Sequence, residues 1–190
     1  MPDRWVIMKT MRPSVREIIA TLLVALIIFL GVQATLESRI VEGQSMQPSL
    51  HTNERVMVIK ASYWFGDPQR GDVIIFDSPQ DPDRTLIKRV IGLPGEEVEV
   101  RDGTVYITDV TGETFPLDEP YIKEEPTYTY GPTVLLEDEY FVLGDNRNHS
   151  TDSHVWGILP GENIIGKTWL IYWPLSDWQL MPSYSYPQDQ

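Results

Sequence analysis

Residues 85–108 read TLIKRVIGLPGEEVEVRDGTVYIT, and this stretch decides the fold class. Three β-type runs, Thr85–Ile91, Glu97–Arg101 and Thr104–Thr108, are divided by Leu93-Pro94-Gly95 and by Asp102-Gly103. Pro and Gly punctuate the first break, and Asp-Gly is favoured in two-residue hairpin turns because both positions need positive φ. Val98 and Val100, then Val105 and Ile107, alternate with polar residues, which predicts a half-buried hairpin. Further runs of the same type lie near Arg55–Lys60, Asp72–Asp77, Glu139–Leu143 and Ile164–Trp173, with turn signals at Gly66-Asp67-Pro68 and Ser78-Pro79. Past residue 40 no segment sustains a 3.6-residue apolar period. The body is therefore expected to be mainly β, a coiled antiparallel sheet closing into a sandwich or barrel-like unit of short strands.

The chain has 190 residues, enough for one domain with a core plus an appendage. It has no cysteine, which excludes disulfides, thiol catalysis and Cys-based metal sites. The three histidines, His51, His149 and His154, form no HExxH helix, so neither a metal nor another cofactor is expected. The net charge is −13, yet the first 17 residues carry +2 through Arg4, Lys9, Arg12 and Arg16. An acidic body without a basic patch argues against nucleic-acid binding, whose affinity comes largely from phosphate neutralisation.

Residues 18–32 read IIATLLVALIIFLGV, without a charge or a polar face. Ser14 as N-cap with Glu17 three residues on forms a capping box. The apolar run is short of the ~20 residues that span a bilayer, and Gln33–Leu36 supply the missing turn. Basic residues precede the run, which predicts a cytoplasmic N-terminus and an extracytoplasmic body. A cleavable signal peptide competes with a retained anchor, since Val32-Gln33-Ala34 fits a small-residue cleavage site. The run reaches the upper limit of a signal-peptide core, which favours the anchor.

Lys88 shares a strand face with Leu86 and Val90, and Arg89 shares the other with Ile87 and Ile91, so at least one of these cations lies against the core. Burial lowers a lysine's pKa, and a neutral lysine can act as a general base. Such a base needs a nucleophile, and Ser45, between Gly43 and Pro48, suits an exposed, sharply presented hydroxyl. Each residue also has a plain reading, Ser45 as a turn serine and Lys88 as a solvent-facing strand lysine. Spacing alone does not join them.

The segments Ser45-Met46-Gln47-Pro48-Ser49-Leu50, Gly71-Asp72-Val73-Ile74-Ile75-Phe76, Lys88 through Glu96, and Gly144-Asp145-Asn146-Arg147-Asn148-His149-Ser150-Thr151-Asp152-Ser153 resemble, in order, the signature boxes of bacterial type I signal peptidases in their compact form. The resemblance implies a membrane-bound serine endopeptidase that removes signal peptides from exported preproteins, cleaving after a small residue. It implies Ser45 as acylating nucleophile, Lys88 as general base, Ser150 as the hydroxyl that hydrogen-bonds the lysine, Asp152 as a structural carboxylate and Asp145 as the partner of Arg89. Gly43 stands where some members carry a donor serine, so backbone amides, Gly43's own included, would hold the oxyanion. His154 replaces the family's usual arginine, which makes its ion pair with Asp152 weaker or pH-dependent, and it is read as structural. Substrate pockets are expected at Ile40, Val41, Met46, Leu86 and Ile87.

The expected organisation is a cytoplasmic segment 1–16, an anchor 17–36 in the plasma (inner) membrane, a peptidase domain 37–175 with a small insert at 109–132, and a polar tail 176–190. Expected partners are signal-peptide-bearing preproteins and membrane lipid. Trp64-Phe65 reads equally as an interface-dipping loop or as core aromatics. Self-cleaving SOS-response repressors share Ser–Lys chemistry but lack a segment like Ile18–Val32. A membrane-anchored β-domain that binds exported chains without cutting them is the non-enzyme alternative.

Overall fold

The Asp102-Gly103 turn has positive φ at both residues, 50° and 77°, as a two-residue hairpin demands. In this computed structural model, which describes residues 14–182, 184 and 186, the chain separates into two units, 1–35 and 36–190. The basic residues Arg4, Lys9 and Arg12 and the end of the polar tail, 187–190, lie outside the described residues.

The first unit contains helix α1, Val15–Thr35. Its capping box forms as the sequence dictates: Ser14 N–H donates to Glu17 Oε2 at 2.7 Å, and Glu17 N–H donates back to Ser14 Oγ at 3.3 Å. At 1.5 Å per residue its 21 residues span about 31 Å. It is long and apolar enough to cross a membrane.

The second unit is built from antiparallel strands, in keeping with the mainly β expectation. In chain order these are β1 (Leu36–Ile40), β2 (Arg55–Ile59), β3 (Val73–Asp77), β4 (Thr85–Gly92), β5 (Glu97–Arg101), β6 (Thr104–Thr108), β7 (Thr114–Pro116), β8 (Tyr130–Val134), β9 (Glu139–Leu143), β10 (Leu159–Pro160), β11 (Ile164–Trp173) and β12 (Gln179–Leu180), with a one-turn helix α2 (Ser153–Trp156) before β10. The larger sheet runs β1-β2-β11-β3-β4-β9-β10, with β12 beside β11, and the smaller runs β7-β6-β5-β8. Residues 109–132 supply β7 and the start of β8 to that smaller sheet.

Alternation places the valines and isoleucine of the β5–β6 hairpin inward. Val98, Val100, Val105 and Ile107 are fully buried with Phe141 and Leu143 of β9. Burying each such side chain contributes on the order of 1.5–3 kcal/mol. Two further cores flank the larger sheet, one around Val56, Val58, Ile75 and Ile171, the other around Ile74, Phe76, Val90 and Leu159. Trp64 and Phe65 are exposed, which removes the core reading for them.

Two strand edges determine where the site lies. Among the described residues, β1 pairs only with β2, in a register from Leu36 opposite Ile59 to Ile40 opposite Arg55. β4 pairs with β3 over Thr85–Arg89 but with β9 only from Arg89 onward. Among the described residues, the other edge of β4 over Thr85–Lys88 has no strand partner.

Candidate active site

Ser45 sits in the turn that follows β1, and its carbonyl accepts the Asn146 N–H at 3.0 Å. The Asn146 side-chain amide donates to Gln44 O at 3.1 Å, so the 144–150 loop clamps the turn from two sides. Lys88, in mid-β4 opposite Ile74, brings Nζ to 2.8 Å from Ser45 Oγ and from the Ile87 carbonyl. The lysine is 3% exposed. Burial disfavours its charge and lowers its pKa to about 8, helped by Arg84 and opposed by Asp152 and Asp145. Among the described residues no acceptor takes the Ser45 N–H. The pair can thus supply a nucleophile, a base within hydrogen-bond reach and a free main-chain donor beside them.

Arg89, one residue on, faces the other way and is wholly buried. Its guanidinium makes a bidentate pair with Asp145 at 2.8 and 2.6 Å, donates to Gly71 O at 2.8 Å and lies 4.0 Å from the centroid of the Tyr121 ring. Burial would lower its pKa, but the Asp145 bonds and charge outweigh it and raise the value. Asp152, fully buried, caps α2, accepts the Gly144 N–H at 2.8 Å and meets His154 Nδ1 at 2.6 Å. Gly144 must be glycine because a Cβ there would overlap Ser150 Oγ and the Ser45 carbonyl oxygen. Gly43 has φ +80° and its carbonyl accepts the Thr52 hydroxyl at 2.6 Å.

A cavity of about 720 Å³ opens onto the pair and is lined in part by Ile40, Val41, Gly43, Leu86 and Ile87. Two sequence expectations need correction. Met46 is buried in the core with Leu50, Val56 and Val58 and does not line the cavity, because it follows Ser45 in a tight turn and its side chain is directed away. Ser150 Oγ is buried without a hydrogen-bond partner, so the expected bond to Lys88 is not formed. Lys88 spends its contacts on Ser45 and Ile87 O instead.

Several contributors were not found from sequence. Arg84 and Asp83, from the β3–β4 connection, and Trp156 of α2 also line the cavity. The buried Arg147–Glu119 pair, at 2.6 and 2.5 Å, and Asn148, which accepts from Thr127 and donates to Glu125 O, fasten residues 117–128 to the 144–150 loop. Partners this far apart in sequence leave no spacing signal. The only clue was that Arg147 and Asn148 fall inside a box otherwise full of site residues.

A buried lysine hydrogen-bonded to a turn serine on an antiparallel β scaffold is an arrangement compatible with a hydrolase of the serine type. The model of the family "Signal peptidase, peptidase S26" matches residues 14–173. A probable signal peptidase I-2 of Synechocystis sp. is 42% identical over 166 residues, covering 84% of this chain and 73% of its own. Signal peptidase I of Leptolyngbya laminosa is 43% identical over 168 residues, with 84% and 80% covered. Signal peptidase I of Bacillus licheniformis is 33% identical over 176 residues, with 86% and 91% covered. The chain belongs to the signal peptidase I family of peptidase S26, serine-protease hydrolases that remove signal peptides.

Proposed function

We propose that this chain is a membrane-anchored endopeptidase in which Ser45 and Lys88 form a catalytic dyad and the substrates are signal-peptide-bearing preproteins. The observation that carries the reading is the 2.8 Å contact between Ser45 Oγ and a lysine whose burial lowers its pKa to about 8. Neutral Lys88 accepts the Ser45 proton as Oγ attacks the scissile carbonyl. The free Ser45 N–H meets the developing oxyanion. The resulting lysinium protonates the leaving amine of the mature protein, and the same lysine then deprotonates the water that hydrolyses the ester.

Substrate enters as an extended strand between the open edges at Ile40–Gly43 and Thr85–Lys88, where main-chain bonds align it and side-chain pockets select alternate residues. Ile40, Val41, Leu86 and Ile87 make those pockets apolar and favour small side chains. Asp145 with Arg89, and Asp152 with Gly144, support the turn that holds Ser45. Ser150 belongs to the same support, through its packing against Gly144.

Helix α1 is the anchor, and the basic residues ahead of it place the N-terminus in the cytoplasm and the catalytic unit outside, on the plasma membrane. The catalytic unit also exposes Phe65, Trp169, Trp173 and Trp178, side chains suited to lipid contact.

Detergent-solubilised protein is expected to cut a preprotein once, after a small residue, with both fragments identified by mass. Ser45→Ala is expected to show no product above the uncatalysed background. Product formation by Ser45→Ala at the parent rate would remove Ser45 as nucleophile.

A further inference from the structure

His154 is the second residue of α2, two positions after the buried N-cap Asp152, and three contacts fix it. Its main-chain N–H reaches Asp152 Oδ1 at 3.3 Å, its Nδ1 lies 2.6 Å from the same oxygen, and its ring stacks on Tyr128 with centroids 3.8 Å apart and planes 11° from parallel. The other oxygen of Asp152 accepts the Gly144 N–H, at the head of the loop whose Asn146 grips the Ser45 carbonyl. One carboxylate therefore connects the imidazole to the loop that holds the nucleophile. The same carboxylate is also the largest charge favouring lysinium at Lys88.

We propose that His154 is a positioning residue whose ionisation state sets the net charge that Asp152 presents to the Ser45–Lys88 pair. An imidazole bearing a proton on Nδ1 donates to Asp152 whether neutral or cationic, so the geometry persists while the charge changes. As a cation it cancels the carboxylate's field and leaves Lys88 free to lose its proton. As a neutral ring it leaves the carboxylate bare, and lysinium gains stability.

The other ionisable groups near the imidazole do not supply this change. Tyr128, stacked on it, has its phenol pushed well up by burial and then by Asp152, so it stays neutral. Arg147 is paired with Glu119, and Arg89 with Asp145. Position 154 is thus where the charge facing this carboxylate can be changed by substitution.

The inference rests on the Ser–Lys reading, and the test separates the two. kcat/KM for preprotein cleavage is measured from pH 5.5 to 9.5 for the parent, His154→Arg and His154→Gln, each in the same detergent. Both replacements keep an N–H donor for Asp152, one with a permanent charge and one with none. The acid limb of His154→Gln is expected about 0.5 pH unit above that of His154→Arg, a roughly threefold difference in rate at fixed acidic pH.

The folded fraction of each variant is measured by circular dichroism at pH 6.5 and at pH 9, and kcat/KM is expressed per folded molecule, so a less stable variant is still informative. Superimposable limbs, or a Gln limb below the Arg limb, would overturn the proposal. A merely structural role would rescale the whole profile without moving its limb. Retention of cleavage by Ser45→Ala or Lys88→Met would instead sink the underlying dyad.

Discussion

Lys88→Met is expected to abolish preprotein cleavage while making the protein more stable at neutral pH. In the proposed mechanism this group both activates the nucleophile and protonates the leaving amine, so its removal should cost about 10⁴-fold or more in kcat/KM. The stability gain follows from the price of burying an ammonium group. Lys88 is lowered from 10.5 to about 8 in the folded protein. Between those two pH values the unfolded chain holds a proton that the folded chain has shed, so the parent gains stability as pH rises through the window. Below pH 8 the full burden applies, on the order of 3 kcal/mol before the loss of the Ser45 and Ile87 hydrogen bonds is set against it. Methionine fills a similar volume without a charge. Urea unfolding should therefore show the variant more stable by ~1–3 kcal/mol at pH 7, with that advantage shrinking from pH 8 upward and gone by about pH 10.5. A variant less stable than the parent at pH 7 would mean that Lys88 is not held against its charge.

Asp145→Ala has the largest expected cost. Arg89 and Asp145 are both fully buried, and the desolvation of two ions makes such a pair weak evidence for net stability. Removing one partner is a different matter. Among the described residues the guanidinium would keep Gly71 O, a 3.4 Å contact to Ser49 Oγ and the Tyr121 and Tyr184 rings, leaving a buried charge without a counter-ion. The expected loss is ~3–5 kcal/mol, which at this size lowers Tm by about 10 °C. Cleavage should fall with it, because Asp145 opens the loop whose Asn146 holds Ser45. The double variant Arg89→Met with Asp145→Leu should recover most of the stability, since it replaces the pair by apolar groups instead of halving it. Thermal unfolding of the three proteins decides the matter. A drop below 1 kcal/mol for Asp145→Ala would show that water reaches Arg89.

How much of this was legible in the sequence follows from which interactions are local. The β5–β6 hairpin was readable because alternation and an Asp-Gly turn are local properties, and the strands at 73–77, 85–92, 139–143 and 164–173 fall where period and turn signals put them. β1 was not read as a strand, because Leu36–Ile40 reads LESRI and becomes one only by pairing with β2. β8 was hidden in an acidic, proline-rich stretch and is fixed by its register with β5. In both cases tertiary pairing overrides a weak local preference.

The site shows the same division. That one cation of Lys88 and Arg89 must be buried followed from alternation, and both are. Their partners, 43 and 56 residues away, leave no mark in any local pattern, and only the resemblance joined them. The expected pocket wrongly included Met46, and the resemblance gave Ser150 a bond it does not make, because position in a motif carries no information on side-chain direction. The Tyr128–His154 stack and the Arg147–Glu119 pair belong to the packing of residues 109–132 against the catalytic loop, which only the fold displays.

The most direct test of the central claim, that a neutral Lys88 activates Ser45, is the pH dependence of kcat/KM for preprotein cleavage by the unmodified protein. Below the lysine's pKa the base is protonated and idle, so the rate should rise about tenfold per pH unit from pH 6 and level off above about pH 8. A rate unchanged between pH 6 and 9, or one that falls as the pH rises across that range, would contradict it.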